Sequence, residues 1–62
     1  MHAIIYLKNG NRKYGVLIDR TFEGNFMFVS NQNYSKYLEK ADSTLLEEVK
    51  GFSVEAIDLD PK

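Results

Sequence analysis

The chain has 62 residues and a formal net charge of −1, which predicts one small domain, residues 1–62, less basic than most nucleic-acid binders. It contains no cysteine, which excludes a disulfide framework, a thiolate metal site and a thiol nucleophile. Its apolar runs are far shorter than the roughly 20 residues that cross a bilayer and no signal segment is recognised, which predicts a soluble cytoplasmic protein without membrane partners.

The first half of the chain is typical of a β-meander. Asn9 and Gly10 lie between two runs of β-branched and aromatic residues, and this pair is a strong hairpin signal because both residues tolerate positive φ. Gly15 falls inside the second strand, where a glycine usually marks a bend or a bulge. The predicted strands are residues 3–8, 12–20 and 25–30.

The second half is more ambiguous. Apolar residues recur at helical spacing after residue 33, and Ser35 is a candidate N-cap, which predicts a short helix within residues 35–41. Asp42, Ser43 and Thr44 then interrupt the pattern, because these residue types prefer caps and turns. Residues 45–50 fit a strand or a helix equally well. A final strand is predicted at residues 53–59.

Three short motifs occur along the chain at spacings that can be compared with those of known families. They are Leu7-Lys8-Asn9-Gly10 followed by Gly15, then Asn25 at the head of an apolar run, and last Val49-Lys50-Gly51 followed by Val54 and Ile57. Over about residues 3–59 this pattern resembles the Sm and Sm-like family of RNA-binding proteins. The resemblance implies an all-β, mainly antiparallel fold: a strongly bent barrel of about five strands that assembles into a six- or seven-membered ring.

The chain departs from the family pattern at several positions. Thr21 stands where the family usually has an aspartate, and Glu23 where an aromatic residue or histidine often stacks on a base. Lys50 replaces an arginine, and Phe52 replaces a polar residue. Two other folds therefore stay open: a different SH3-like barrel, and an α+β fold with a three-stranded meander, a helix and a final strand.

The resemblance implies a site for single-stranded RNA formed by Asn25, Lys50, Gly51 and Phe22. The Asn25 amide offers a donor and an acceptor to a base edge. Lys50, beside Gly51, would hold a phosphate or a base as a point charge, without the stacking plane of an arginine. Phe22 lies in a loop and would stack on a base.

These residues also have ordinary structural interpretations. Asn25 fits a turn residue that follows Gly24, and Lys50 fits a solvated lysine beside Glu47 and Glu48. The sequence leaves both interpretations open.

Catalysis has little support, because the only histidine is His2 and no glycine-rich phosphate loop occurs. We predict a non-catalytic protein without metal or small-molecule cofactor. The alternative to RNA binding is a protein-interaction or structural module that does not bind nucleic acid. The acidic second half favours it, since residues 32–62 carry four basic and seven acidic residues, against four and two in residues 1–31. The small core and this asymmetry of charge predict self-association.

Overall fold

A computed structural model describes residues 1–60 and contains one five-stranded antiparallel sheet and one α-helix. The strands are β1 (His2–Leu7), β2 (Arg12–Arg20), β3 (Phe26–Ser30), β4 (Glu47–Val49) and β5 (Val54–Leu59), and the helix is α1 (Asn31–Lys40). The strand order is β4-β3-β2-β1-β5, which makes β4 and β5 the two edges of the sheet. The predicted mainly antiparallel β-protein is confirmed, and four of its predicted strands begin and end within a residue of the observed ones.

The β1–β2 hairpin closes at the predicted turn. Gly10 has φ +92, and its N–H donates to the Leu7 carbonyl at 3.0 Å. The Asn9 side chain accepts from the Asn11 N–H at 2.9 Å. The Asn-Gly pair thus supplies both the positive φ and the local side-chain acceptor that this turn needs.

One face of the sheet, the core face, holds most of the buried side chains. Ile5, Phe26, Phe28 and Val49 form the buried cluster, with Leu7, Leu17, Val54 and Ile57 packed against it. Gly15 is required on this face, because a Cβ there would lie 2.1 Å from the Val29 carbonyl oxygen and 2.8 Å from the Phe28 ring. The register shift between β2 and β3 falls later, between Leu17 and Asp19. Gly15 therefore permits a close approach between strands, whereas the bulge lies elsewhere.

The opposite face of the sheet, the helix face, is partly covered by α1. Val16 and Val29 are buried on this face, and the Tyr34 ring makes an edge contact with His2, with ring centroids 5.7 Å apart. Among the described residues, 1–60, no helix has the length and apolar character needed to span a bilayer.

The predicted bounds of the helix are wrong at the N-terminal side. The helix begins at Asn31, directly after β3, and not at residue 35. Ser30 is the N-cap residue, and residues 31–33, whose two asparagines also fit a turn, form the first helical turn. Asparagine and serine favour helix starts as well as turns, and their identity alone does not separate the two. The helix ends at Lys40, and Ala41 adopts φ 49 while donating to the Tyr37 carbonyl.

The segment after α1 breaks as predicted. Asp42 Oδ1 accepts from the Thr44 N–H at 3.0 Å and from the Thr44 hydroxyl at 2.6 Å, and a 3₁₀ helix follows at Ser43–Leu45. The ambiguous residues 45–50 contain β4, and a second 3₁₀ helix at Gly51–Ser53 precedes β5. The sheet therefore has one strand more than the α+β alternative of a meander, a helix and a final strand.

Candidate functional site

The fold brings three of the four predicted site residues together. The side-chain oxygen of Asn25 accepts a hydrogen bond from the Gly51 N–H at 2.9 Å, across 26 positions of sequence. The Asn25 Nδ2 donates to Glu48 Oε2 at 3.0 Å. Lys50 Nζ lies 3.5 Å from the other oxygen of the same carboxylate. Asn25, Glu48, Lys50 and Gly51 form one linked group, called here the Asn25 cluster.

The loop before β3 holds Asn25 in position. Thr21 pairs with Asn25 twice: its N–H donates to the Asn25 carbonyl at 2.8 Å, and its hydroxyl accepts from the Asn25 N–H at 3.0 Å. Gly24 has φ +86 and donates to the Thr21 carbonyl at 3.0 Å. Thr21 thus closes this loop by hydrogen bonds of its backbone and its hydroxyl.

Gly51 is needed because the loop lies directly against it. A Cβ at Gly51 would stand 2.2 Å from the Gly24 carbonyl oxygen, which is backbone and cannot rotate away. The contact fixes the loop before β3 against the 3₁₀ helix before β5. The Asn25 side chain therefore joins two segments of the fold.

The cluster is close to electrically neutral and uses part of its own hydrogen-bonding capacity. The hydrogen bond from Asn25, followed by the positive charge of Lys50, lowers the pKa of the Glu48 carboxyl from its usual value. Glu48 is therefore ionised at neutral pH and sets a negative charge beside Asn25 and Lys50. Each end of an amide can form two hydrogen bonds, and the Asn25 amide uses one at its oxygen, from Gly51, and one at its nitrogen, to Glu48.

Phe22 stands outside this network. Its side chain is fully exposed on the loop, so it contributes nothing to the buried core. Phe52, on the 3₁₀ helix that follows Lys50, is also 76% exposed.

The main residue missed by sequence reasoning is Glu48. It lies two positions before Lys50 in an extended segment, and side chains two apart in a strand share one face. That alternation could have identified Glu48 as the partner of Lys50. No comparable signal in the sequence pointed to its hydrogen bond with Asn25, which depends on how the preceding loop folds.

A second candidate surface lies at the other side of the sheet, along β5. Met1 and Leu17 exchange two backbone hydrogen bonds, and Asp60 donates to the His2 carbonyl at 2.8 Å. In an antiparallel ladder, hydrogen-bonded pairs alternate with non-hydrogen-bonded pairs along each strand. The backbone groups of odd-numbered β1 residues therefore bond to β2, and those of even-numbered β1 residues bond to β5. The N–H and C=O groups of Ile57 and Leu59 consequently point away from β1. Within residues 1–60, β5 has β1 as its only neighbouring strand.

A cleft of about 470 Å³ opens on the helix face beside β5. Its floor includes Tyr14, Ile4 and Asp58, which form one row across β2, β1 and β5. His2 and Asn31, the first residue of α1, also line it. The cleft therefore combines an exposed aromatic ring, an apolar floor and a carboxylate at the edge of the sheet.

No family model, no curated protein and no solved structure matches this chain significantly.

Proposed function

We propose that this protein is a non-catalytic interaction module that pairs β5 with an extended segment of a partner protein. The observation that carries the proposal is the six-residue β5, whose Ile57 and Leu59 backbone groups bond to nothing within residues 1–60. Such a strand is a template for an incoming peptide, because main-chain hydrogen bonds supply affinity and alternate side chains supply specificity.

The two edges of the sheet differ in a way that supports β5 as the binding edge. β4 has only three residues, and both of its glutamates are held by lysines: Glu47 by Lys13 at 3.0 Å, and Glu48 by Lys50 at 3.5 Å. An edge strand this short, with its charges paired inside the chain, is protected against pairing. β5 is twice as long, and the irregularity in its pairing with β1 is confined to the end near Leu7.

The proposal includes the finer fold, a small strongly bent barrel of the Sm-like or SH3-like kind. Its support is the ion pair between Lys13 on β2 and Glu47 on β4, which reaches past the intervening β3. A sheet that curls over its core face brings such residues together.

Binding of single-stranded RNA is the second candidate function, and the Asn25 cluster is the observation that favours it. The ionised Glu48 opposes it, because the same carboxylate that orients Asn25 repels phosphate. Fluorescence anisotropy with short uridine-rich and adenine-rich oligonucleotides at low salt tests this candidate. Binding that falls steeply with salt and is reduced in both Asn25→Ala and Lys50→Ala would favour RNA over a peptide.

The test of the main proposal is selection from a random displayed library of 12-residue peptides, followed by amide hydrogen exchange with the selected peptide. We expect slower exchange at Ile57 and Leu59, whose N–H groups face the open edge. The Asp58 amide, which already bonds to β1, is the internal control and should change little. Failure to select any peptide, or protection confined to α1 or to the loop before β3, would contradict the proposal.

A further inference from the structure

The side chains on β5 divide between the two faces of the sheet. Ile57 and Leu59 share the core face with Ile5 and Ala3, whereas Asp58 shares the helix face with Ile4. A strand added beside β5 continues these rows, because residues directly opposite each other in a sheet point to the same side. Its residue opposite Asp58 therefore lies at the mouth of the helix-face cleft, and its two neighbours extend the apolar core face.

The chemistry of the cleft suits a long cationic side chain. Ile4 offers apolar surface for an aliphatic stem, and the half-exposed Tyr14 ring offers a face for a guanidinium group. Asp58 supplies the opposing charge in the same row.

The adjacent row already holds such an arrangement within the chain. The Arg12 guanidinium lies over the Tyr6 ring, 5.2 Å from its centroid. The hydroxyl of Tyr14, by hydrogen bonding, is the main cause that raises the pKa of Arg12 above its usual value. An arginine from a partner would lie on the same face in the next row, which is formed by Asp58, Ile4 and Tyr14.

We infer, on the basis of the proposed function, that the partner segment alternates apolar and basic residues and places an arginine opposite Asp58, with its side chain in the helix-face cleft. The charge of β5 supports this occupant, because its two charged residues, Glu55 and Asp58, are both acidic. A second copy of this chain fits less well, since the edge strands it could offer are the three-residue β4 and a β5 that carries the same acidic residues.

The experiment uses the peptide selected on the native protein and its Arg→Gln version, each measured against native protein, Asp58→Asn and Glu55→Gln. We expect the selected peptides to carry arginine between two apolar residues. Asp58→Asn should weaken binding by roughly two- to fivefold, in the range of partly exposed ion pairs. The loss should vanish with the Arg→Gln peptide, because the two changes remove the same interaction.

Glu55→Gln is the matched control, since it removes the same charge from the same strand without altering the cleft. Equal losses in Asp58→Asn and Glu55→Gln would overturn the inference in favour of a diffuse acidic field. Peptides that protect Ile57 and Leu59 but show no preference for a basic residue would also overturn it, while leaving the proposed function intact.

Two further results would show that no partner segment, or a different one, pairs with β5. Absence of any protection along β5 would refute the proposed function together with the inference. Protection of the Ile57 and Leu59 amides that rises with protein concentration alone would identify a second copy as the occupant and overturn the proposal of a basic segment.

Discussion

Replacement of Asn25 tests whether its side chain holds two segments of the fold together. In Asn25→Ala the partly buried Gly51 N–H loses its acceptor. An unsatisfied buried donor costs about 1–3 kcal/mol. At 0.05–0.15 kcal/mol per residue, a chain of this length has a total unfolding free energy of only about 3–9 kcal/mol. Each kcal/mol lowers Tm by roughly 4–8 °C in such a domain, so a clear fall is expected.

Asn25→Asp distinguishes the two hydrogen bonds of the Asn25 side chain, the one accepted from Gly51 and the one donated to Glu48. The carboxylate still accepts from Gly51, but it sets an oxygen against Glu48 Oε2, where Asn25 had donated at 3.0 Å. Two facing carboxylates raise the pKa of the pair, so this variant recovers stability as one of them takes up a proton. In the native protein the Glu48 pKa is lowered, so its contribution is present at neutral pH and lost as the pH falls through that lowered value. The gap in stability between Asn25→Asp and the native protein should therefore narrow between pH 7 and pH 4.

Thermal and urea unfolding followed by circular dichroism and tyrosine fluorescence provide the measurement. Asn11→Ala is the matched control, because Asn11 is exposed in the first hairpin turn and only its backbone forms hydrogen bonds there. If Asn25→Ala and Asn11→Ala have the same Tm and urea midpoint, the hydrogen bond between Gly51 and the Asn25 side chain does not stabilise the fold. A gap for Asn25→Asp that is independent of pH would refute the pairing with Glu48.

Gly15→Ala should lower Tm more than Gly10→Ala in thermal scans, because a Cβ at Gly15 meets backbone at 2.1 Å whereas Gly10 has open space and only an unfavourable φ; the reverse order would contradict the close approach of β2 and β3. Asp42→Asn should lose stability at pH 7 but match the native protein at acid pH. The hydroxyl and then the N–H of Thr44 lower the Asp42 pKa, so its contribution disappears as the pH falls through and below 3.8; a constant difference in urea midpoints across pH would exclude this. Self-association stays a prediction: in light scattering at micromolar concentration, a mass of six or seven times 7.2 kDa would support the ring that the resemblance implies, and a mass near 7.2 kDa would contradict it and leave β5 open to a partner.

The strands could be predicted from the sequence because their signals are local. Asn9 and Gly10 fix a turn by their own conformational preferences, and the alternation of the flanking residues follows from the two faces of a strand. The start of α1 could not be predicted, because Asn31 fits a turn as well as a first helical turn, and the packing of the helix on the sheet decides between them. Long-range contacts were the hardest to predict: the resemblance implied that Asn25 and Gly51 share one site, but nothing in the sequence placed the Glu48 carboxylate beside Asn25.

The position of β1 between β2 and the edge strand β5 has a consequence for how the protein is made. β1 is translated first, yet its even-numbered residues bond to β5, which emerges after almost all of the described chain. Until then one whole side of β1 has exposed backbone donors and acceptors, a condition that favours pairing with other nascent chains. Pairing between such distant segments also slows folding, since the entropy of closing the long loop is lost before the contact forms. Expression at low temperature, where intermolecular association of the unpaired strand is weaker, should therefore raise the soluble yield.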